Sequence, residues 1–289
     1  MKRKVAITAA VVVFILAAAI VVYPLISNYY SERKQSVIYT EYTETVKNKA
    51  TSELADERVK AEQYNKALYS GAKDEEHKAL TEYESLLNIA GNGVMGYVNV
   101  PKLEIRLPIY HTTEADVLEI GAGHMSLSSL PVGGENTHCA ISAHSGMASQ
   151  KMFSDIDMLV VGDVFYIDVL GEKLYYSIYE ISVVLPYEKQ NIQIEKGKDK
   201  CSLITCTPFG VNTHRLIVTA ERIEVSKEQE IQEINAGNTA LTSTWEREYK
   251  KAIIIGACAF LAILMFCVLF SIVRKNQKDL RKEDDSNGN

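Results

Sequence analysis

The chain has 289 residues, a formal net charge of -6 and 47% apolar residues, enough for one soluble domain of ordinary size plus extra segments. The charge is spread along the chain, with no basic stripe of the kind a nucleic-acid surface needs. No Cys-x-x-Cys or His-x-x-x-His pair occurs, so no metal site is expected.

Almost all the apolar excess lies in two blocks. Val5 to Tyr23 follows Met1-Lys2-Arg3-Lys4, and Ala252 to Val273 precedes Arg274-Lys275 and a charged tail. Each block is long enough to cross a hydrocarbon core as a helix. Positive charge flanks the outer end of both, which places both termini in the cytoplasm and the middle of the chain outside the membrane. Ala17-Ala18-Ala19 offers small residues for a signal-peptide cleavage, but apolar residues continue to Tyr23, so retention of the first helix is expected.

The chain therefore divides into a cytoplasmic N-terminus (1–4), a transmembrane helix (5–23) and an extracytoplasmic helical stalk with the region before the core (24–91). A globular core (92–225), a linker (226–251), a second transmembrane helix (252–273) and a cytoplasmic tail (274–289) follow. Ser31 to Tyr69 is polar and free of proline and glycine and reads as a helix or stalk, broken at Ser70-Gly71. Asp74 to Asn88 reads as a second, short helix, with Leu80, Tyr83, Leu86 and Leu87 at helical spacing. Met95–Val100, Arg106–His111, His138–Ala143, Val164–Leu170 and Lys173–Leu185 read as strands. Glu114–Ile120 and Gln150–Leu159 read as short helices between them. Many short strands separated by turns favour an all-β sandwich or barrel. Trp245 and Tyr249 are placed as interfacial anchors before the second apolar block.

Cys258 and Cys267 lie in that block as small packing residues. The other three thiols are an odd number, against a full disulfide framework. Cys201 and Cys206 are five residues apart on one strand and cannot bond without bending it. Cys139 and Cys201 can face each other but are expected as buried free thiols.

The densest chemistry lies between Leu203 and Arg215. From Lys200 the run alternates with period two, so Ser202, Ile204 and Cys206 share one face. Pro208, Gly210 and Asn212 form a loop, and Leu216-Ile217-Val218 resumes a strand. Pairing of the two strands brings Arg215 back beside Cys206. A thiol beside a fixed guanidinium suits acyl transfer, one attacking a carbonyl and the other stabilising negative charge.

Leu203-Ile204-Thr205-Cys206 resembles the sortase signature, and the string from Thr205 to Leu216 is similar to that of class C sortases, the pilin polymerases of Gram-positive bacteria. Leu130 to His138 and Ile141 to Gly146 are similar to the same class, in the same order. The resemblance implies a mainly β fold, the sortase-type closed β-barrel with short helices, an N-terminal helical segment and two flanking transmembrane helices. It implies Cys206 as nucleophile, His144 as general acid and base, and Arg215 at the oxyanion or substrate carbonyl. Thr205 and Thr207 flank the nucleophile as candidate substrate-binding hydroxyls. His138 is expected to pack or hydrogen-bond on its strand, and His214 to point away from Cys206. His77, His111 and His124 are left as surface residues or residues behind the site. The implied partners are pilin subunits with an LPxTG-like sorting signal, a pilin lysine as acyl acceptor, and the lipid bilayer. No cofactor is implied, because thioester acyl transfer needs none.

Two other functions fit less well. Anchoring of surface proteins to a peptidoglycan amine shares the donor chemistry, but the second membrane run favours the pilin type. A non-catalytic membrane scaffold would need none of Cys206, His144 and Arg215. One feature departs from class C. Before the barrel, that class carries a lid with an Asp followed by Pro or an aromatic, whereas here Asp74 precedes Glu75-Glu76-His77. The lid is expected to be reduced and the cleft open or weakly gated.

Overall fold

The structure, a computed structural model, describes residues 2–71, 82–145, 147, 149–188 and 192–226. In the second apolar block it describes residues 250–251, 253–258, 260, 265 and 270. The chain separates into two units, 1–243 and 244–289.

In the first unit, the N-terminal apolar run and the start of the stalk form one helix, α1 (Lys2–Asn48), which passes through Pro24 without a break. Among the described residues α1 alone is long and apolar enough to cross a membrane, its most apolar window having a mean hydropathy of 2.1 with 7% of it buried. The expected single stalk helix breaks after Asn48, and α2 (Thr51–Ser70) starts on a new axis and ends at Gly71, whose φ of 62° is the left-handed C-cap glycine favours. Tertiary packing explains the break. Tyr42 and Val46 are buried against Val94, Tyr97 and Tyr110, while Ala61 and Tyr64 of α2 enter the main core. Asn65 of α2 closes a two-way bond with Leu130, accepting from its N–H at 2.6 Å and donating to its carbonyl at 3.2 Å.

Eight strands follow: β1 (Val94–Val100), β2 (Ile105–His111), β3 (Ala122–His124), β4 (Thr137–Ser142), β5 (Val164–Val169), β6 (Glu172–Val184), β7 (Asp199–Thr207) and β8 (His214–Ile223). They close into a barrel in the order β1-β2-β3-β4-β7-β8-β6-β5, so the barrel expected from the sequence is the fold. Two contacts are parallel, β2 with β3 and β4 with β7, and the rest are antiparallel. Inward side chains fill the barrel, among them Phe165 stacked on Tyr176 with ring centres 5.7 Å apart.

A short helix α3 (Ala115–Leu118) lies within the expected 114–120 helix. The expected helix over 150–159 is instead an irregular segment with one 3₁₀ turn, Ile156–Met158. Met152, Phe153 and Ile156 are buried there at a spacing that imitates a helical stripe. Of the expected 74–88 helix, residues 72–81 lie outside the described residues, and the described part holds a 3₁₀ turn, Tyr83–Ser85. Most of the expected second membrane helix also lies outside them. Residues 250–251 and 253–258 are helical.

Candidate active site

Cys206 is the penultimate residue of β7, and its register partner on β8 is Arg215. On its other side β7 runs parallel to β4, with Thr137 opposite Asp199 through to Ser142 opposite Ile204. The ladder continues one residue past β4: Ala143 N–H donates to the Ile204 carbonyl at 3.1 Å, and Thr205 Oγ1 donates to the Ala143 carbonyl at 2.8 Å. His144 follows Ala143 directly, so it leaves the barrel beside the end of β7 where Cys206 pairs with Arg215.

Alternation puts the three on one face. Cys139, Ile141, Ala143, Cys201, Leu203, Leu216 and Val218 point into the barrel. Ala140, Ile204 and Ile217 point the other way and form a small cluster outside the barrel, buried beneath Met125, Val184 and Ile192. By period two His144, Cys206 and Arg215 fall on that outer side, and each is half-buried.

Arg215 Nη1 donates to the Asn212 carbonyl at 3.3 Å and to the His214 carbonyl at 3.0 Å, which fixes the guanidinium against its own loop. Among the described residues no carboxylate forms an ion pair with it. Between the strands, Val211 and Asn212 N–H groups both donate to the Pro208 carbonyl at 3.0 Å. Gly210 and Asn212 take φ of 72° and 64°, a region open to glycine and tolerated by asparagine, so the chain returns within a short loop.

Thr205, read from the sequence as a candidate substrate-binding hydroxyl, has its side chain on the inward face, 3% exposed, with its hydroxyl committed to Ala143. Thr207 shares that direction and lies opposite His214, which is on the face away from Cys206. His138 is buried below the site. Its Nδ1 donates to the Gln193 carbonyl at 2.9 Å, its Nε2 accepts from Ser202 Oγ at 2.8 Å, and Thr219 Oγ1 meets Ser202 Oγ at 3.1 Å. Burial holds the His138 imidazole below its ordinary pKa. The sequence placed Ser202 on the face of Cys206, but it did not single out Thr219, whose signal is the same period-two alternation.

His111 and His124, left as surface residues or residues behind the site, are buried, at 8% and 0% exposed. They are register partners of β2 and β3, gathered around Tyr83, whose hydroxyl meets His124 Nδ1 at 2.7 Å. His111 Nε2 donates to the Leu86 carbonyl at 2.8 Å. Cys139 and Cys201 face each other in register as buried free thiols. Burial pushes the Cys201 thiol well up; it also raises Cys139, but hydrogen bonds from Cys201 and His124 outweigh it and hold that thiol below its ordinary value. Asp74 and His77, and with them the reduced-lid expectation, lie outside the described residues.

A closed mixed barrel with an imidazole, a thiol and a guanidinium on adjacent strand ends defines a thiol-bearing barrel class. A family model described as the sortase domain matches residues 98–223. Sortase A of Streptococcus agalactiae serotype III (strain NEM316) is 34% identical over 131 residues, 44% of this chain; the match spans about half, 52%, of that curated relative. The crystal structure of sortase C1 from Streptococcus agalactiae is 38% identical, with a TM-score of 0.62, and the match covers 65% of this chain and 98% of that one. Clostridium perfringens sortase C, solved with the C-terminal cell wall sorting motif, is 40% identical with a TM-score of 0.56, covering 64% of this chain and 97% of that one. The chain belongs to the sortase family.

Proposed function

We propose that this protein is a membrane-bound cysteine transpeptidase of the class C type, which cleaves an LPxTG-like sorting signal and joins pilin subunits through a lysine amine. The observation that supports the reading is the pairing of Cys206 on β7 with Arg215 on β8, with β4 running parallel to β7 and ending two residues before His144. A cysteine thiol ordinarily titrates near ~8.5, so a basic partner at this level raises the supply of thiolate.

In the proposed cycle the Cys206 thiolate attacks the carbonyl carbon of the Thr–Gly peptide bond, and Arg215 stabilises the oxyanion. The C–N bond breaks as the His144 imidazolium gives its proton to the leaving amine, which yields a thioester. Neutral His144 then takes a proton from the incoming lysine amine, which attacks the thioester; the C–S bond breaks and the thiolate returns. Residues 5–23 anchor the chain, residues 252–273 form a second anchor, and residues 92–225 work outside the cytoplasm. Tethering keeps enzyme and membrane-bound precursor at high effective concentration.

The test is intact-mass spectrometry of the full chain in detergent with a panel of LPxTG-like peptides, followed by a pilin lysine peptide or a peptidoglycan stem amine. A peptide adduct in the wild type that is absent in Cys206→Ala, and that is discharged by the lysine peptide, supports pilin joining. Discharge by the stem amine alone moves the reading to wall anchoring. No adduct with any peptide or with whole pilin leaves the scaffold reading in its place.

A further inference from the structure

The loop that begins at His144 is gripped by the membrane-anchor helix. Asn28 and Ser31 are one turn apart on α1, on the face that continues through Gln35, Ile38 and Tyr42 to Val46. Asn28 Oδ1 accepts the Lys151 N–H at 3.0 Å, and Ser31 Oγ donates to Gln150 Oε1 at 2.5 Å. Gln150 is anchored on its other side too, its Nε2 donating to the Glu119 carbonyl at 2.6 Å. Two residues further on, the Phe153 N–H donates to the carbonyl of His144 itself at 3.0 Å. Phe153 and Met152 are 0% and 3% exposed, so this end of the loop is sunk in the core.

The contact is polar by construction. A cavity of about 210 Å³ runs along this part of the seam, lined among others by Asn28, Ser31, Gln35, Arg106, Gln150 and Lys151. Above this level α1 packs on the barrel through Ile38, Tyr39, Tyr42 and Val46. At residues 150–151 side-chain hydrogen bonds tie helix to loop. The seam starts five residues after Tyr23, about 8 Å along the helix axis from the end of the apolar run.

We propose that Asn28 and Ser31 are positioning residues for His144: by holding residues 150 and 151 they fix the loop that the His144 carbonyl closes, and so make the anchor helix part of the active-site scaffold. The effect on turnover rests on the transpeptidase reading above; the effect on the loop does not. A general acid and base must sit within hydrogen-bond reach of its proton, and small displacements are costly to rate.

The test uses the full chain in detergent and compares wild type, Asn28→Ala/Ser31→Ala, Ser31→Ala, Ser31→Thr and, as a control on the solvent face of α1, Val37→Ala (Val37 is 68% exposed). Hydrogen exchange is read first. The double variant is expected to lose about tenfold protection at the Lys151 amide, with a smaller loss at Phe153, while β7 and β8 are unchanged. Unchanged protection at both amides overturns the proposal whatever the peptide assay gives. Peptide transfer is read second, with an expected fall in kcat of about tenfold at constant KM, substantial recovery in Ser31→Thr relative to Ser31→Ala, and no change in Val37→Ala. Lost protection with an unaltered kcat also overturns it. If the wild type transfers no peptide, it is the functional reading that fails, and the exchange result still decides whether α1 fixes the loop.

Discussion

Thr205→Val tests the contact that ties β7 to Ala143, the residue before His144. Valine keeps the branched shape and volume of threonine and removes only the hydroxyl, so the inward packing at a 3% exposed position is preserved. What is lost is the 2.8 Å bond to the Ala143 carbonyl, on a residue itself 2% exposed. Deleting a buried donor costs the bond and strands the acceptor, about 1–3 kcal/mol in all. For a folded unit of this size each kcal/mol shifts Tm by about 2–4 °C, so about 6 °C is expected for a mid-range loss. The protein stays folded at assay temperature, and any fall in transfer rate then reports displacement of His144. Differential scanning calorimetry and steady-state peptide transfer on the same preparation check both halves; kcat is expected to drop by about tenfold, with KM near its wild-type value. A lowered Tm with full kcat would show that the bond supports the barrel and not the site. An unchanged Tm would refute the energetic argument itself.

Three further outcomes are expected. Arg215→Lys keeps the charge but loses the planar fork held by the Asn212 and His214 carbonyls, so kcat should fall by about a hundredfold in the transfer assay with little change in Tm; activity within threefold of wild type would remove Arg215 from the oxyanion role. Brief iodoacetamide treatment of the native protein, read by peptide mapping, should modify half-buried Cys206 while sparing Cys139 and Cys201, which react only in denaturant; equal labelling of all three would contradict the packing. Burial holds His111 and His138 below the ordinary imidazole range, so the unfolded chain takes up protons first as pH falls through ~6.5. That contribution to stability is full above this value and is lost toward acid, so urea midpoints should drop from pH 7.5 to 5.5, and less so in His138→Gln. Asp168 and Asp199, raised by burial, act in the opposite sense, upward from the ordinary carboxylate value near ~3.9. A midpoint independent of pH would count against the buried histidines.

How much was legible depended on how local the cause was. β5 reads directly, because its residues alternate between buried and half-buried along its length. β1 is buried at every position, since Tyr39 and Tyr42 of α1 cover the side of Tyr97 that would otherwise face solvent, and it shows only as an apolar run. β3 has three residues, too few for any period to appear. The break between α1 and α2 carries neither glycine nor proline; it is imposed by what each helix packs against. The same division holds at the site. Cys206 and Arg215 are joined by a short loop, so their pairing could be drawn from the sequence. His144 meets β7 only through a parallel contact that spans the whole β5–β6 hairpin, and nothing local announces it. The order of the family's motifs pointed to His144 where spacing could not. The grip of Asn28 and Ser31 had no signal at all, because polar residues on a polar stalk look like solvent-facing ones.

The unbroken run of α1 from the apolar block into the barrel seam turns helical phase into compass heading. With residues 5–23 in the bilayer as proposed, α1 continues as one helix through Pro24 to the grip at Asn28. One residue added between Tyr23 and Asn28 would rotate the barrel by about 100° about the helix axis and raise it by about 1.5 Å. The direction in which the cleft opens over the lipid surface is thus written in the count of residues between two points on one helix.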